Sequence, residues 1–175
     1  MDSDNFGPIA TLLSFIFAVF IWVFRFLIWT KRKNRKGKLV PYKFRIPSGY
    51  TDLCIRGDGV DGSFALGTDK STLTLRSKNS PQNYGIRKNE LLTPHRSDYT
   101  ISYLEEGRKV NPYGLSFRWL KTKHATKSFE MMMISYLLDD QRVQIEVGCG
   151  SRTDDFSVFR SDYEALIDSI QLKLP

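Results

Sequence analysis

The chain has 175 residues, with 26 Lys and Arg against 19 Asp and Glu and a formal net charge of +7. Two cysteines (Cys54, Cys149) and two histidines (His95, His124) stand far apart without CxxC spacing, so no zinc motif lies behind them. The positive balance is local: with Arg25 and the six basic residues of 31–38 set aside, 19 basic and 17 acidic residues remain in 39–175, a net +2 that excludes a basic nucleic-acid-binding domain.

Residues 8–30 read PIATLLSFIFAVFIWVFRFLIWT. As a helix this run rises about 34 Å, enough to cross a hydrocarbon core of about 30 Å with some tilt. Arg25 is its one charge, five residues before Thr30, close enough to the end to snorkel to the headgroups. Trp22 and Trp29 suit an interfacial belt at that same end. The preceding MDSDN is acidic, and no small-residue cleavage site follows the apolar run. The pattern therefore predicts an uncleaved anchor rather than a secretory signal.

Lys31, Arg32, Lys33, Arg35, Lys36 and Lys38 follow the span at once. This asymmetry predicts a short outer tail (1–7), a transmembrane helix (8–30), a basic juxtamembrane linker (31–42) and a cytoplasmic domain (43–175). A bacterial inner membrane is the expected site. The basic cluster is expected to bind anionic lipid headgroups, at about 1 kcal/mol per residue near the surface. Two free thiols are expected in a reducing compartment; a reversed topology would allow one disulfide.

The 137 residues from 39 onward are enough for one domain. Tyr42–Ile46, bracketed by Pro41 and Pro47, alternates like an edge strand. Leu53–Arg56 and Ser63–Leu66 flank GDGVDG as a hairpin. Thr72–Leu75 alternates. Lys78–Arg96 is a polar connection with one helical turn. Tyr99, Ile101 and Tyr103 share a strand face, as do Leu115, Phe117 and Trp119 with Arg118 opposed. Met131–Leu138 is apolar at nearly every position, as in a strand buried on both faces. After the turn Asp139–Gln141, Val143, Ile145 and Val147 alternate with Gln144 and Glu146, a half-exposed hairpin partner. Ser161 and Glu164 fit a capping box, and Tyr163, Leu166, Ile167 and Ile170 form one helical stripe, with Phe156 and Phe159 in an earlier turn. The fold class is α+β: an N-terminal transmembrane helix, then an antiparallel β-sheet domain with a C-terminal helix packed on one face.

Two stretches resemble the Mog1/PsbP-like domains: the opening Phe44-Arg45-Ile46-Pro47-Ser48-Gly49-Tyr50, and the close, a late strand pair followed by Tyr163-Glu164-Ala165-Leu166-Ile167-Asp168-Ser169-Ile170. DcrB-type lipoproteins and the Eag-type adaptors of type VI secretion look similar in this respect. The resemblance covers residues 43–174 and rests on hydrophobic patterns. It implies an interaction or chaperone module rather than an enzyme, and it carries over no functional residues.

The remaining motifs carry little chemistry. Counted from Asp58, the acidic loop has Val60 at position 3, Ser63 at position 6 and Asp69 at position 12, so the EF-hand pattern fails and Asp58 and Asp61 read as a solvated hairpin tip. No phosphate-binding glycine loop, GxSxG elbow or HExxH is present, so no cofactor is expected. His124, within Lys121–Lys127, reads as a solvated loop histidine, and Asp154-Asp155 as acids serving a helix dipole. Met131–Met133 reads as core, with an adaptable binding surface as its other reading. The expected function is a membrane-anchored, non-enzymatic protein-interaction module, immunity- or chaperone-like, in a bacterial secretion or toxin system. It would have a protein partner and no nucleic acid. The alternative is an accessory subunit of a membrane complex whose span makes the main contacts. A third reading, an enzyme, would have to draw on His95, His124 and the acidic loop.

Overall fold

The structure, a computed structural model, describes residues 34–37, 40–55, 59–67, 70–80, 82–94 and 96–173. The expected span 8–30 with Trp22, Arg25 and Trp29, and the basic residues Lys31, Arg32, Lys33 and Lys38, lie outside the described residues. Arg35 and Lys36 fall on a short strand, β1 (Asn34–Lys36). Among the described residues no helix is long and apolar enough to cross a membrane. The chain divides into two compact units, Met1–Arg35 and Lys36–Pro175, and every element after β1 belongs to the second.

Seven strands make one antiparallel sheet: β3 (Tyr50–Asp52), β4 (Val60–Leu66), β5 (Ser71–Lys78), β6 (Thr100–Val110), β7 (Ser116–Ala125), β8 (Glu130–Leu138) and β9 (Gln144–Arg152). Their spatial order is β3-β4-β5-β9-β8-β7-β6. The long connection before β6 holds α1 (Tyr84–Leu92), and α2 (Phe156–Asp168) follows β9. A small separate sheet pairs β2 (Tyr42–Arg45) with β10 (Gln171–Leu172), Lys43 opposite Gln171.

One face of the large sheet carries the core. Leu73, Leu75, Ile145, Val147, Cys149 and Phe117 are wholly buried there, against Tyr163, Leu166, Ile167 and Ile170 of the α2 segment. The helical stripe read from the sequence is therefore the packing face of α2. Val40, Tyr42, Phe44 and Ile46 join the same cluster. Tyr42 and Phe44 stack with ring centroids 5.5 Å apart. Alternation along β2 thus buries one side of the expected edge strand.

Asn111 closes the end of α2. Its buried amide donates to the carbonyls of Ile167 (3.1 Å) and Ile170 (2.8 Å), adding to the Ile170 amide that already reaches Ile167 at 3.2 Å. Its Oδ1 accepts from the backbone of Tyr113 and Leu115, both at 3.0 Å.

Three local expectations change, and the helix-dipole reading of Asp154-Asp155 holds. α2 begins at Phe156, so Ser161 and Glu164 are interior and form no capping box; Glu164 pairs instead with Arg160 at 3.1 Å, one turn back. Thr153–Asp155 is a 3₁₀ turn that leads into the helix, with both acids beside its positive end. The polar connection holds a nine-residue helix rather than one turn. Strand β9 is not half-exposed: it is the central strand, and Gln144 and Glu146 are buried because α1 lies over their face.

Candidate functional site

The sheet face opposite α2 forms a trough of about 510 Å³ beneath α1. Antiparallel register explains its lining. Thr72 and Thr74 of β5, Gly148 of β9, Ser135 and Met133 of β8 and His124 of β7 occupy like-facing positions on neighbouring strands. Arg76 and Ile101 extend the floor, and Arg87, Glu90 and Leu91 form the roof. A methyl group built on Gly148 would meet nothing within 4 Å, so the glycine leaves the middle of the floor open.

Polar contacts hold the roof. Asn83 caps α1 by accepting from the Gly85 amide at 2.8 Å. Arg87 donates to Glu146 at 2.8 and 2.9 Å and pairs with Glu90 at 2.6 Å. Lys88 pairs with Glu106 at 2.8 Å, Tyr84 donates to Glu106 at 3.1 Å, and the Arg118 guanidinium lies 4.8 Å from the Tyr84 ring centre. No residue of α1 is fully buried. The helix therefore rests on the sheet through charge pairs around a half-exposed apolar edge, the kind of element that opens at low cost.

His124 is not a solvated loop residue. It lies on β7, 8% exposed. The basic run misleads because β7 alternates: Thr122 and His124 face inward, while the Lys121 amine sits 5.3 Å from the Phe156 ring centre on the other face and Lys123 pairs with Glu130 at 2.9 Å. Its Nδ1 bonds the Tyr99 hydroxyl at 2.5 Å and its Nε2 bonds the Thr122 hydroxyl at 2.8 Å. Burial pushes its pKa below the ordinary histidine value. A neutral imidazole donates through one nitrogen and accepts through the other, and two hydroxyls satisfy both. Neither nitrogen is left to serve a nucleophile.

Other sequence candidates disperse. Asp61 is not at a solvated tip: it lies on β4 and accepts from the Tyr42 hydroxyl at 2.6 Å. Asp58 and His95 lie outside the described residues. Among the described residues no three His, Cys, Asp or Glu side chains cluster to hold a metal. Cys54 is exposed and Cys149 buried, both free; burial drives the Cys149 thiol pKa far up. Met131–Met133 divides between its two readings. Met132 packs on the core, whereas Met133 lines the trough. The trough itself escaped sequence reasoning. Its signal was the set of small and hydroxylated residues (Thr72, Thr74, Ser135, Gly148) that alternate with the core residues of β5, β8 and β9.

Arg76 forms no ion pair among the described residues. It lines the trough with Thr72 and Thr74 and stands opposite Glu146, whose carboxylate Arg87 holds, in the β5–β9 register. The Arg76 guanidinium, the threonine hydroxyls and the apolar Met133, Ile101 and Leu91 suit a segment that offers a carboxylate next to an apolar side chain.

No family model matches the sequence, and no curated protein is similar to it at a significant level. Solved structures are similar in fold. The chain shares 8% identity and a TM-score of 0.58 with LpqN of Mycobacterium tuberculosis, over 79% of this chain and 86% of that one. With cyanobacterial PsbP (CyanoP) of Synechocystis sp. PCC 6803 it shares 12% identity and a TM-score of 0.56, over 75% and 86%. The Ran-binding protein Mog1p of Saccharomyces cerevisiae aligns at 9% identity and a TM-score of 0.49, over 80% and 96%. The fold is PsbP-like, as in CyanoP and LpqN.

Proposed function

We propose that the chain is a non-enzymatic protein-interaction module, held by residues 8–30 at the cytoplasmic face of a bacterial inner membrane, whose trough receives an acidic, partly apolar segment of a protein partner. An immunity- or chaperone-like role in a secretion or toxin system is the biological setting this reading favours. One observation carries it: an open trough whose histidine has both nitrogens engaged and whose Arg76, opposite a Glu146 already held by Arg87, forms no ion pair among the described residues. Such a site can hold a ligand but offers no activated nucleophile. The polar ties of α1 allow the roof to lift for an extended segment. The apolar run at 8–30 and the basic cluster after it support the anchor and its orientation.

The test is retention of a partner from native membranes by full-length chain tagged at the C-terminus, with Arg76→Glu as the matched variant. The wild type retains a partner, and the reversed charge loses it. Equal recovery by both forms contradicts the trough as the binding surface. Replacing residues 8–30 with an unrelated span separates this reading from the accessory-subunit one: retention survives the swap here and is lost if the span makes the main contacts.

A further inference from the structure

The two edges of the large sheet differ. At one end β3 is three residues long, a short edge that invites no pairing. At the other end β6 runs for eleven residues, Thr100–Val110, with β7 on one side only. Eight of the eleven are exposed, including Tyr103, Leu104 and Val110, the last 64% exposed. A long edge with exposed apolar side chains offers a row of backbone donors and acceptors to another strand.

The sequence of that edge is antisymmetric. Residues 104–110 read Leu-Glu-Glu-Gly-Arg-Lys-Val. About Gly107, Glu106 mirrors Arg108, Glu105 mirrors Lys109 and Leu104 mirrors Val110. A two-fold axis through an antiparallel pair places each residue opposite its mirror mate, and each contact then occurs twice. The charged mates lie an even number of positions apart within the unbroken register Glu105–Val110, so they share a sheet face, where directly opposite side chains touch; a β-bulge takes Leu104 out of that alternation. Glu105 and Lys109 pair with Lys121 and Phe117 of β7, which are themselves on one face; Glu106 and Arg108 pair with Leu120 and Arg118 on the other. Gly107 is accounted for within the chain: a methyl group there would lie 2.7 Å from the Trp119 ring.

We propose that β6 pairs with β6 of a second copy of this chain, antiparallel and centred on Gly107, so that the two seven-stranded sheets become one continuous sheet. Charge complementarity selects this partner and this register. Each Glu106 faces Arg108 of the second copy and each Glu105 faces Lys109. Moving the axis by one residue centres it on Glu106 or on Arg108. That residue then stands opposite its own copy, like charge against like charge, so the shifted registers are disfavoured. Inside the chain, Glu105 has no ion pair among the described residues, and Arg108 reaches Asp139 only at 3.7 Å with its side chain 64% exposed. Glu106 and Lys109 already hold Lys88 and Asp168, so the new pairs extend existing networks on each face. The pairing does not use Arg76; Glu106 also holds Tyr84 and Lys88 of the roof helix, so the test reads self-association alone and not partner retention.

The test is the mass of the detergent-solubilised full-length chain, measured by light scattering with the micelle subtracted, in reductant to keep exposed Cys54 from crosslinking. The wild type carries two chains per particle at tens of micromolar. Glu105→Lys/Glu106→Arg and Arg108→Glu/Lys109→Glu each put like charges opposite one another and weaken self-association on the order of 100-fold. Mixed together, these two variants are complementary at every position and recover the two-chain particle. A monomeric wild type, or reversed variants that dimerise as the wild type does, overturns the proposal. Hydrogen exchange of the wild type needs no variant. Amides of 104–110 slow with concentration if the edges pair; exchange independent of concentration overturns the pairing.

Discussion

Arg87 grips Glu146 through two hydrogen bonds, 2.8 Å from Nε and 2.9 Å from Nη2, and this clasp ties the roof helix α1 to the central strand β9. Glu146 is 7% exposed, so its carboxylate depends on that guanidinium. Arg87→Met should lower stability by about 2 kcal/mol, the cost of stranding a nearly buried charged acceptor. The double variant Arg87→Met/Glu146→Leu should regain most of it, since an apolar pair leaves nothing unpaired. Urea unfolding of the single and double variants measures both.

His124 makes stability depend on pH in a direction set by burial. Its folded pKa lies below the ordinary value of 6.5. The unfolded chain therefore takes up a proton first as pH falls. The stabilisation is fully present above about pH 6.5 and is lost as pH drops through the folded pKa. Wild-type unfolding free energy should decline as pH falls from about 7 to about 5, and His124→Gln should flatten that slope. An unchanged slope in the variant would assign the effect to other groups.

Asn111 serves two carbonyls and two amides at once. Asn111→Ala removes these four bonds, two of them buried, and should cost about 1–3 kcal/mol. The neighbouring control is Tyr113→Ala, which removes an exposed side chain and should cost less. Thermal unfolding monitored by circular dichroism compares the two.

The two thiols should report folding separately. Cys54 is exposed and Cys149 has no exposed surface. An aromatic disulfide reagent at mildly alkaline pH should label one thiol per native chain and both in denaturant. Rapid labelling of both in the native state would contradict the buried placement of Cys149 on β9.

The core was legible because it depends on periodicity. Tyr163, Leu166, Ile167 and Ile170 are buried as their spacing requires, and of the apolar run Met131–Leu138 the part Ile134–Leu138 is buried while Met131–Met133 are half-buried. What stayed hidden depends on partners distant in sequence. Gln144 and Glu146 read as solvent-facing because α1, the helix that covers them, lies more than fifty residues earlier in the chain. His124 reads as part of a basic turn because the alternation of β7 carries lysines on the opposite face. Asp61 reads as a loop acid because its donor, Tyr42, stands nineteen positions earlier. The trough is polar, and polar alternation looks the same whether the face meets water or a ligand.

The most direct measurement fills the trough without disturbing the sheet. Gly148 sits on β9 with open space where a side chain would project, and valine suits a strand. Full-length Gly148→Val, tagged at the C-terminus and crosslinked in native membranes, should fold and localise like the wild type yet lose the partner the wild type retains. Retention of the same partner by the filled variant, or no partner on the wild type, would contradict the trough as the binding site.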